Sequence, residues 1–398
     1  MADLKIFTDN IEPEALKQIY TLMEQPVFQG SKVRIMPDAH QGVGCVIGFT
    51  ANLIDKVIPN VVGVDLGCGM RTYELGKVDI SLERLDETVH RCIPSGRDIH
   101  RTTVVRFPKI QDLHCYKHLK ERDRFERSIG TLGGGNHFIE LDIDDEGNKY
   151  LVIHTGSRNL GKQVAEHYQK LAVELLQGRD ELLERQEELI EDYRKAGKSK
   201  SEIKKALKEL RKSIVSGGPK VPKDLCYLYG EPMERYLHDM RICQEYARLN
   251  RETIGNIILS EMKLRPVSSF ETIHNYIDLE SGIIRKGAIS AKKGELLLIP
   301  INMRDGCILG RGKGNEDWNC SAPHGAGRVM SRSEAKKTIS MDEYRRAMDG
   351  IYTSTVNFDT IDEAPMAYKP LSEIAESIAD TVEILKIIKP VYNFKAGE

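Results

Sequence analysis

The sequence predicts an α+β fold: a β-rich core with packed helices and one inserted helical hairpin. Short β-like runs separated by glycine turns recur at residues 33–51, 61–76 and 128–156. Other segments carry apolar residues at helical spacing. One stretch, 162–222, differs in charge from its surroundings, acidic in its first half and strongly basic in its second.

In chain order, Pro13 to Glu24 carries a helical pattern. Val33-Arg34-Ile35-Met36 and Gly48-Phe49-Thr50-Ala51 then read as strands, and residues 61–76 as a strand, a tight glycine turn and a second strand. Residues 128–156 repeat that arrangement around a glycine-rich loop and end on Leu151-Val152-Ile153-His154. Within 162–222, Leu182, Leu183, Leu189 and Ile190 fall at helical spacing, as do Ile203, Ala206, Leu207, Leu210 and Ile214. Gly197 breaks the pattern between them, and Ser199-x-x-Glu202 resembles a capping box. Two solvated helices of opposite charge are the plainer reading. The sharper one has Lys198, Lys200, Lys204, Lys205, Lys208, Arg211 and Lys212 meeting RNA phosphates. The C-terminal third reads as a β-like stretch (Gly282 to Pro300), a glycine-rich loop (Arg311 to Arg328), a polar helix from Met341 and a last helix from Leu371 to Lys386.

Composition narrows the class. The 398 residues suffice for a large core, as one large domain or two or three smaller ones. With 40% hydrophobic and 30% charged residues and a mean hydropathy of −0.39, the chain reads as globular and soluble. No apolar run reaches the ~18 residues of a membrane span. Met1 to Asn10 lacks the apolar stretch of a signal peptide, so a cytoplasmic location is expected. A net charge of −2 excludes a globally basic surface, so a nucleic-acid partner would be met by local patches. Eight cysteines without paired spacing argue for buried thiols, with metal ligands or nucleophiles as exceptions.

Five short stretches carry chemistry. Asp65 and Cys68 lie three residues apart among glycines, so carboxylate and thiolate are able to converge on one point. Gly133-Gly134-Gly135 precedes Asn136-His137 and, three residues on, Glu140. Such loops let the backbone approach a phosphate or a metal, with Asn136 as a donor and His137 as a ligand. His154 ends an apolar strand, and His274 stands in Glu271-Thr272-Ile273-His274-Asn275. Either alone is more commonly a hydrogen-bonded core histidine. His324, between Pro323 and Gly325 with Arg328 four residues on, has the accessible ring of a nucleophile and a guanidinium to steady phosphate oxygens. Together Asp65, Cys68, His137, His154 and His274 supply five ligands of mixed hardness, suited to two metals sharing a thiolate and keeping open positions. Softness points to zinc, while the carboxylate and open positions suit manganese equally.

These motifs, in this order, resemble the RtcB family of GTP-dependent RNA ligases. The matching stretches are Met36 to Gly42, Val64 to Met70, Gly130 to Glu140, His154 to Arg158, Arg285 to Ala288, His324 to Arg332 and Glu363 to Lys369. They run from residue 36 nearly to the end, so residues 1–398 read as one catalytic domain carrying the hairpin at 162–222. The resemblance implies two Mn²⁺ ions: Asp65, Cys68 and His137 on one, Cys68, His154 and His274 on the other. It implies a His324–GMP phosphoramidate, phosphate contacts from Asn136 and Arg328, and a guanine pocket of Glu140, Tyr368 and Lys395. Lys286, Asn302 and Cys307 are expected among the nucleotide contacts. GTP is the implied co-substrate. The implied partner is RNA with 2′,3′-cyclic phosphate or 3′-phosphate ends and 5′-hydroxyl ends, in RNA repair or tRNA splicing; a protein activator is a further possible partner, and no membrane is implied.

The chain departs from the family pattern at Pro300-Ile301-Asn302-Met303-Arg304, where Pro-Gly-Ser-Met-Gly is usual. Asn302 and Cys307 then stand where serines would contact phosphate and guanine. Gln41 stands in place of a proline, and the triple glycine replaces Gly-Thr-Gly. Two alternative activities follow: a 3′-phosphate guanylyltransferase that caps ends with weak joining, and a metal-dependent phosphoesterase that does not use His324.

Overall fold

Seven strands, each antiparallel to its neighbours, form the sheet that carries the candidate site. Their order across the sheet is Leu296–Asn302, Gly306–Gly312, Val382–Lys395, Phe138–Ile143, Lys149–Thr155, Gly69–Gly76 and Ser268–Ile273. The register aligns Phe138 with His154, Met70 with His154, and Gly69 with both Thr155 and Ile273. Alternate strands therefore start or stop along one edge, which brings Cys68, His137, His154 and His274 together from four separate segments. The computed structural model describes residues 2–177, 179–196, 198–215 and 221–397.

A second sheet of five strands runs in the order Asp3–Ile6, Lys32–His40, Ile47–Asn52, Ile283–Lys286, Asn275–Asp278, with only its first pair parallel. The helix Gly230–Met262 packs between parts of the core. Its buried residues Tyr236, Met240, Cys243, Ala247, Asn250, Ile254 and Ile258 recur at three- and four-residue steps, which puts them on one face. That face covers two apolar clusters, one around Phe49, Val61 and Tyr168, the other around Tyr73, Ile139 and Ile153. Each fully buried Ile, Leu or Phe contributes about 1.5–3 kcal/mol. Interspersed sheets and helices make this the α+β architecture expected, and no helix among the described residues is long and apolar enough to cross a membrane.

Several expected elements change. Pro59–Val62 is a short helix with proline at its first turn rather than a strand, so the glycine turn joins a helix to the strand Gly69–Gly76. The last helix stops at Ser377 instead of Lys386, and Val382–Lys395 forms a fourteen-residue strand. Its β-branched and aromatic side chains fit the gap between Gly306–Gly312 and Phe138–Ile143, and pairing on both edges outweighs local helical spacing. The glycine-rich stretch 311–328 contains a strand, Ser321–Pro323, paired with Ala288–Ser290.

Within 162–222, the helix Arg158–Leu176 buries Leu160, Val164, Tyr168 and Ala172 in the core. The helices Arg179–Lys195 and Lys200–Val215 pack on each other. Ser199 and Glu202 exchange side-chain and backbone hydrogen bonds, the reciprocal pattern of a capping box. Gly197 lies outside the described residues, as do the side chains of Lys200, Arg211 and Lys212.

Candidate active site

The strand edge gathers five metal-competent side chains. Cys68 Sγ lies 3.5 Å from His137 Nε2 and 3.4 Å from His154 Nε2. His154 Nε2 is 3.4 Å from His274 Nε2, and His137 Nε2 is 3.1 Å from Asp65 Oδ2. Two triads result, Asp65–Cys68–His137 and Cys68–His154–His274, each with ligand atoms within 4.8 Å of one another and with Cys68 common to both. His137 Nδ1 faces the Leu132 carbonyl at 3.0 Å and His154 Nδ1 the Asn136 carbonyl at 3.1 Å. A carbonyl only accepts, so each ring carries its proton on Nδ1 and turns an Nε2 lone pair into the cluster. Lone pairs that converge in a buried site repel unless a cation lies among them. Burial pushes His154 and His274 well below the usual imidazole range, so imidazolium does not supply that charge. Burial also drives the Cys68 thiol well up, and a thiolate there calls for a neighbouring cation. The donor set fits divalent ions. His274 Nδ1 is buried without a hydrogen-bond partner.

The main chain and one helix hold this edge. Asn250 accepts from the backbone N–H groups of Gly130 and Thr131 and donates to the carbonyls of Thr131 and Gly156. The fully buried Arg251 donates to the Gly67 and Thr155 carbonyls at 2.8 and 2.7 Å. Both residues sit on the helix Gly230–Met262, which thereby fixes three ligand-bearing loops. Asp65 accepts from the N–H and hydroxyl of Ser157. Burial opposes its charge, and the nearby Arg158 guanidinium favours it. Its carboxylate lies so close to Gly156 that a Cβ there would stand 2.2 Å from Oδ1. Gly133 has a comparable reason: with φ +83, it underlies the Arg158 guanidinium, and a Cβ would meet Nη1 at 1.7 Å. One glycine of the triple run thus makes room for an arginine.

His324 stands next to the cluster, its ring centroid 4.9 Å from that of His274. Its Nδ1 is 2.6 Å from Asp38 Oδ2, and its backbone N–H donates to the same oxygen at 3.1 Å. Asp38 is fully buried. Nδ1 thus donates to the Asp38 carboxylate, and the ring lines a cavity of about 690 Å³. The volume lies within the range of ligand pockets.

The cavity wall includes Asn136, Glu140, Asn302, Arg328, Tyr368 and Lys395. Glu140 accepts from Asn393 Nδ2 at 2.5 Å, the residue opposite it in the register. Behind it lie Asp142 and Cys307, whose Sγ is 3.9 Å from Glu140 Oε1. Burial and the adjacent Glu140 drive Asp142 far up. Tyr368 donates to Glu363 at 2.7 Å, and Lys395 and Arg332 pair with the same carboxylate. Burial opposes the Glu363 charge, but Lys395 and Arg332 bring its pKa to about 2. Arg328 donates to the Met330 and Asp362 carbonyls and to the Tyr368 hydroxyl.

Three nucleotide expectations meet a different geometry. The Lys286 ammonium donates to the carbonyls of Val43, Cys45 and Asn60, away from the cavity. Cys307 sits behind Glu140 rather than on the wall. Asn302 lines the cavity, but its amide closes its own turn, donating to Asp305 and accepting from the N–H groups of Arg304 and Asp305. Sequence reasoning assigned no role to Asp38, Glu363, Arg332 or Asn393, although the first three lie in the motifs quoted. A signal existed for Asp38, a carboxylate between Pro37 and Ala39-His40 in a glycine-flanked strand. Asn250 and Arg251 gave none, since their helix carries no motif.

Such an arrangement suits phosphoryl or nucleotidyl transfer assisted by divalent ions, with a histidine as covalent relay. A family model described as tRNA-splicing ligase RtcB matches residues 18–115 and 114–396, and the chain belongs to that family. The RNA-splicing ligase RtcB of Escherichia coli strain K12 is 28% identical across 98% of this chain and 96% of its own length. The tRNA-splicing ligases RtcB of Aeropyrum pernix and Thermococcus kodakarensis are 26% and 24% identical across 96% and 94% of this chain, and 92% and 90% of their own lengths.

Proposed function

We propose that the protein is an RNA ligase of repair or splicing that joins 2′,3′-cyclic phosphate or 3′-phosphate ends to 5′-hydroxyl ends through a His324–GMP intermediate. The observation that carries the reading is the Asp38–His324 pair at 2.6 Å, made through Nδ1 of a ring that lines a cavity adjoining the Asp/Cys/His cluster. His324 Nε2 attacks the α-phosphorus of GTP, and the bond to pyrophosphate breaks. Asp38 stabilises the positive charge that develops on the ring. A 2′,3′-cyclic phosphate is first opened by water, which breaks its bond to the 2′-oxygen and leaves a 2′-hydroxyl; the RNA 3′-phosphate then attacks the GMP phosphorus, and the N–P pair returns to His324. A 5′-hydroxyl attacks the activated 3′-phosphate and GMP departs. Asp65, Cys68 and His137 would hold one divalent ion and Cys68, His154 and His274 another, with manganese as the metal proposed. Such ions polarise phosphate oxygens and acidify bound water. Glu140 accepts from guanine N1–H and its exocyclic amine, a pair of donors adenine lacks, which favours GTP over ATP. Asn136 and Arg328 contact phosphates, while Tyr368 and Lys395 flank the base.

Incubation with α-labelled GTP and Mn²⁺, followed by denaturing electrophoresis, tests the relay. An acid-labile band in the parent and none in His324→Ala is expected. No label with any divalent ion would sink it and favour a phosphoesterase. A second reading, end-guanylylation with weak joining, has its own observation: Asn302 is held in its turn by Asp305, which leaves its amide a single N–H for phosphate. RNA ending in ppG, accumulating with little joined product, would mark that outcome.

A further inference from the structure

A second group of metal-competent side chains lies outside the cavity. His114, in the irregular segment between the helix Leu82–Cys92 and the strand Phe138–Ile143, meets His238 and Asp239 of the helix Gly230–Met262. None of the three lines the cavity. Asp239 is fully buried and organises the group. Its Oδ1 accepts the His114 backbone N–H at 2.9 Å, and its Oδ2 accepts the Cys115 N–H at 3.0 Å and the Tyr168 hydroxyl at 2.8 Å. These bonds clamp residues 114–115 to the helix and set the His114 ring beside His238, with centroids 4.7 Å apart and planes inclined by 60°.

Asp239 Oδ1 also faces His238 Nδ1 at 3.1 Å. The carboxylate draws the proton to Nδ1, so Nε2 keeps its lone pair. This is the carboxylate–histidine arrangement that orients imidazole ligands in metal sites. Ligand atoms of His114, His238 and Asp239 lie within 4.8 Å of one another. Bonds of 2.0–2.1 Å to a tetrahedral ion place ligand atoms roughly 3.3 Å apart, so a small rotation of the exposed His114 ring closes the set. A second histidine pair, His118 and His167, is stacked close by, its centroids 4.9 Å apart. His167 packs edge-on against Tyr168, whose hydroxyl Asp239 holds. Four of the chain's 11 histidines thus collect around one buried carboxylate, although the proposed reaction employs none of them.

We propose that His114 and His238, oriented by Asp239 within ligand reach, form a partly open site for a divalent transition ion, with Zn²⁺ as its occupant. Two imidazoles, one of them backed by a carboxylate, favour Zn²⁺ over Mg²⁺ or Mn²⁺, and the exposed side leaves positions for water. The ion ties the segment that leads into the Asn136–His137 loop to the helix that carries Asn250 and Arg251.

Equilibrium dialysis of the full chain, its active-site ions loaded beforehand, against buffered low-micromolar Zn²⁺ tests the site by metal analysis. One further zinc per chain is expected in the parent. His114→Ala or His238→Gln should weaken its binding at least about 100-fold, the upper end of what loss of an orienting group alone does. Co²⁺ as a probe should add d–d absorbance without the thiolate charge-transfer band that a Cys68-bound ion gives. Asp239 holds the backbone of His114 rather than its ring, so His114→Ala keeps the clamp, and its zinc-free melting curve should match the parent's. Equal zinc uptake by parent and variants overturns the proposal. So does equal loss from His118→Ala or His167→Ala, which would reveal an adventitious ion only.

Discussion

The two ends of the cavity are built on different principles. At the ligand edge, main-chain groups do the orienting: the Leu132 and Asn136 carbonyls set His137 and His154, and Asn250 and Arg251 bind peptide groups of the loops. At the opposite wall, side-chain charges hold one another: Glu363 gathers Lys395, Arg332, Arg328 and the Tyr368 hydroxyl. Peptide groups do not titrate, so the first end keeps its shape as pH changes, and only its ligands respond. The second is a buried ion network whose members depend on each other's charge. Two glutamates at the wall show the consequence. Both are buried, yet Glu363, among cations, is held at about 2, while burial raises Glu140, which stands beside Asp142. Company, as much as burial, decides charge.

Substitutions at the two ends should fail in different ways. The largest effect is expected from Cys68→Ala, which removes the ligand common to both triads and should empty both positions and abolish joining. Metal content after gel filtration checks this, and two retained ions would refute the shared thiolate. Asp38→Asn keeps the volume but not the charge behind His324. Guanylylation should slow about 10²–10³-fold, in the range of a lost proton-positioning group, with little change in melting temperature. A loss of stability instead would move Asp38 into the structural class.

Glu363→Gln should do the reverse, destabilising by about 3–5 kcal/mol because its cations lose their partner. Its pKa of about 2 lies below the ordinary 4.5. The parent's stabilisation from this group is thus complete above pH 4.5 and lost as pH falls toward 2, about 3 kcal/mol in all. Denaturant melts across that window should show this acid slope in the parent and a shallower one in the variant. The smallest effect is expected from Glu140→Ala, which should leave folding and His324 labelling with saturating GTP largely intact while reducing GTP-over-ATP preference at least about tenfold. Unchanged discrimination would remove Glu140 from base reading.

Much of the site was legible because its residues are chemically conspicuous. Asp65 and Cys68 among glycines, His137 after a triple glycine and His324 between proline and glycine are poor choices for packing alone. The wall was less legible. Glu363 and Arg332 are ordinary charged residues until the fold sets them side by side, and Lys286 reads as a nucleotide contact until three carbonyls claim its ammonium. The fold shows the same limit. Pro13–Met23 follows from local spacing, whereas Val382–Lys395 is a strand because two partners flank it.

The sequence by itself determined the inventory of candidate ligands, the candidate nucleophile and the α+β class, since side-chain chemistry and apolar periodicity are local properties. Only the tertiary structure decided that Asp38 backs His324 and which carboxylates stay ionised. Those depend on distances between segments up to 286 residues apart and on the charges each segment brings to a dry interior, where electrostatic energies are large and set by neighbours rather than by residue type.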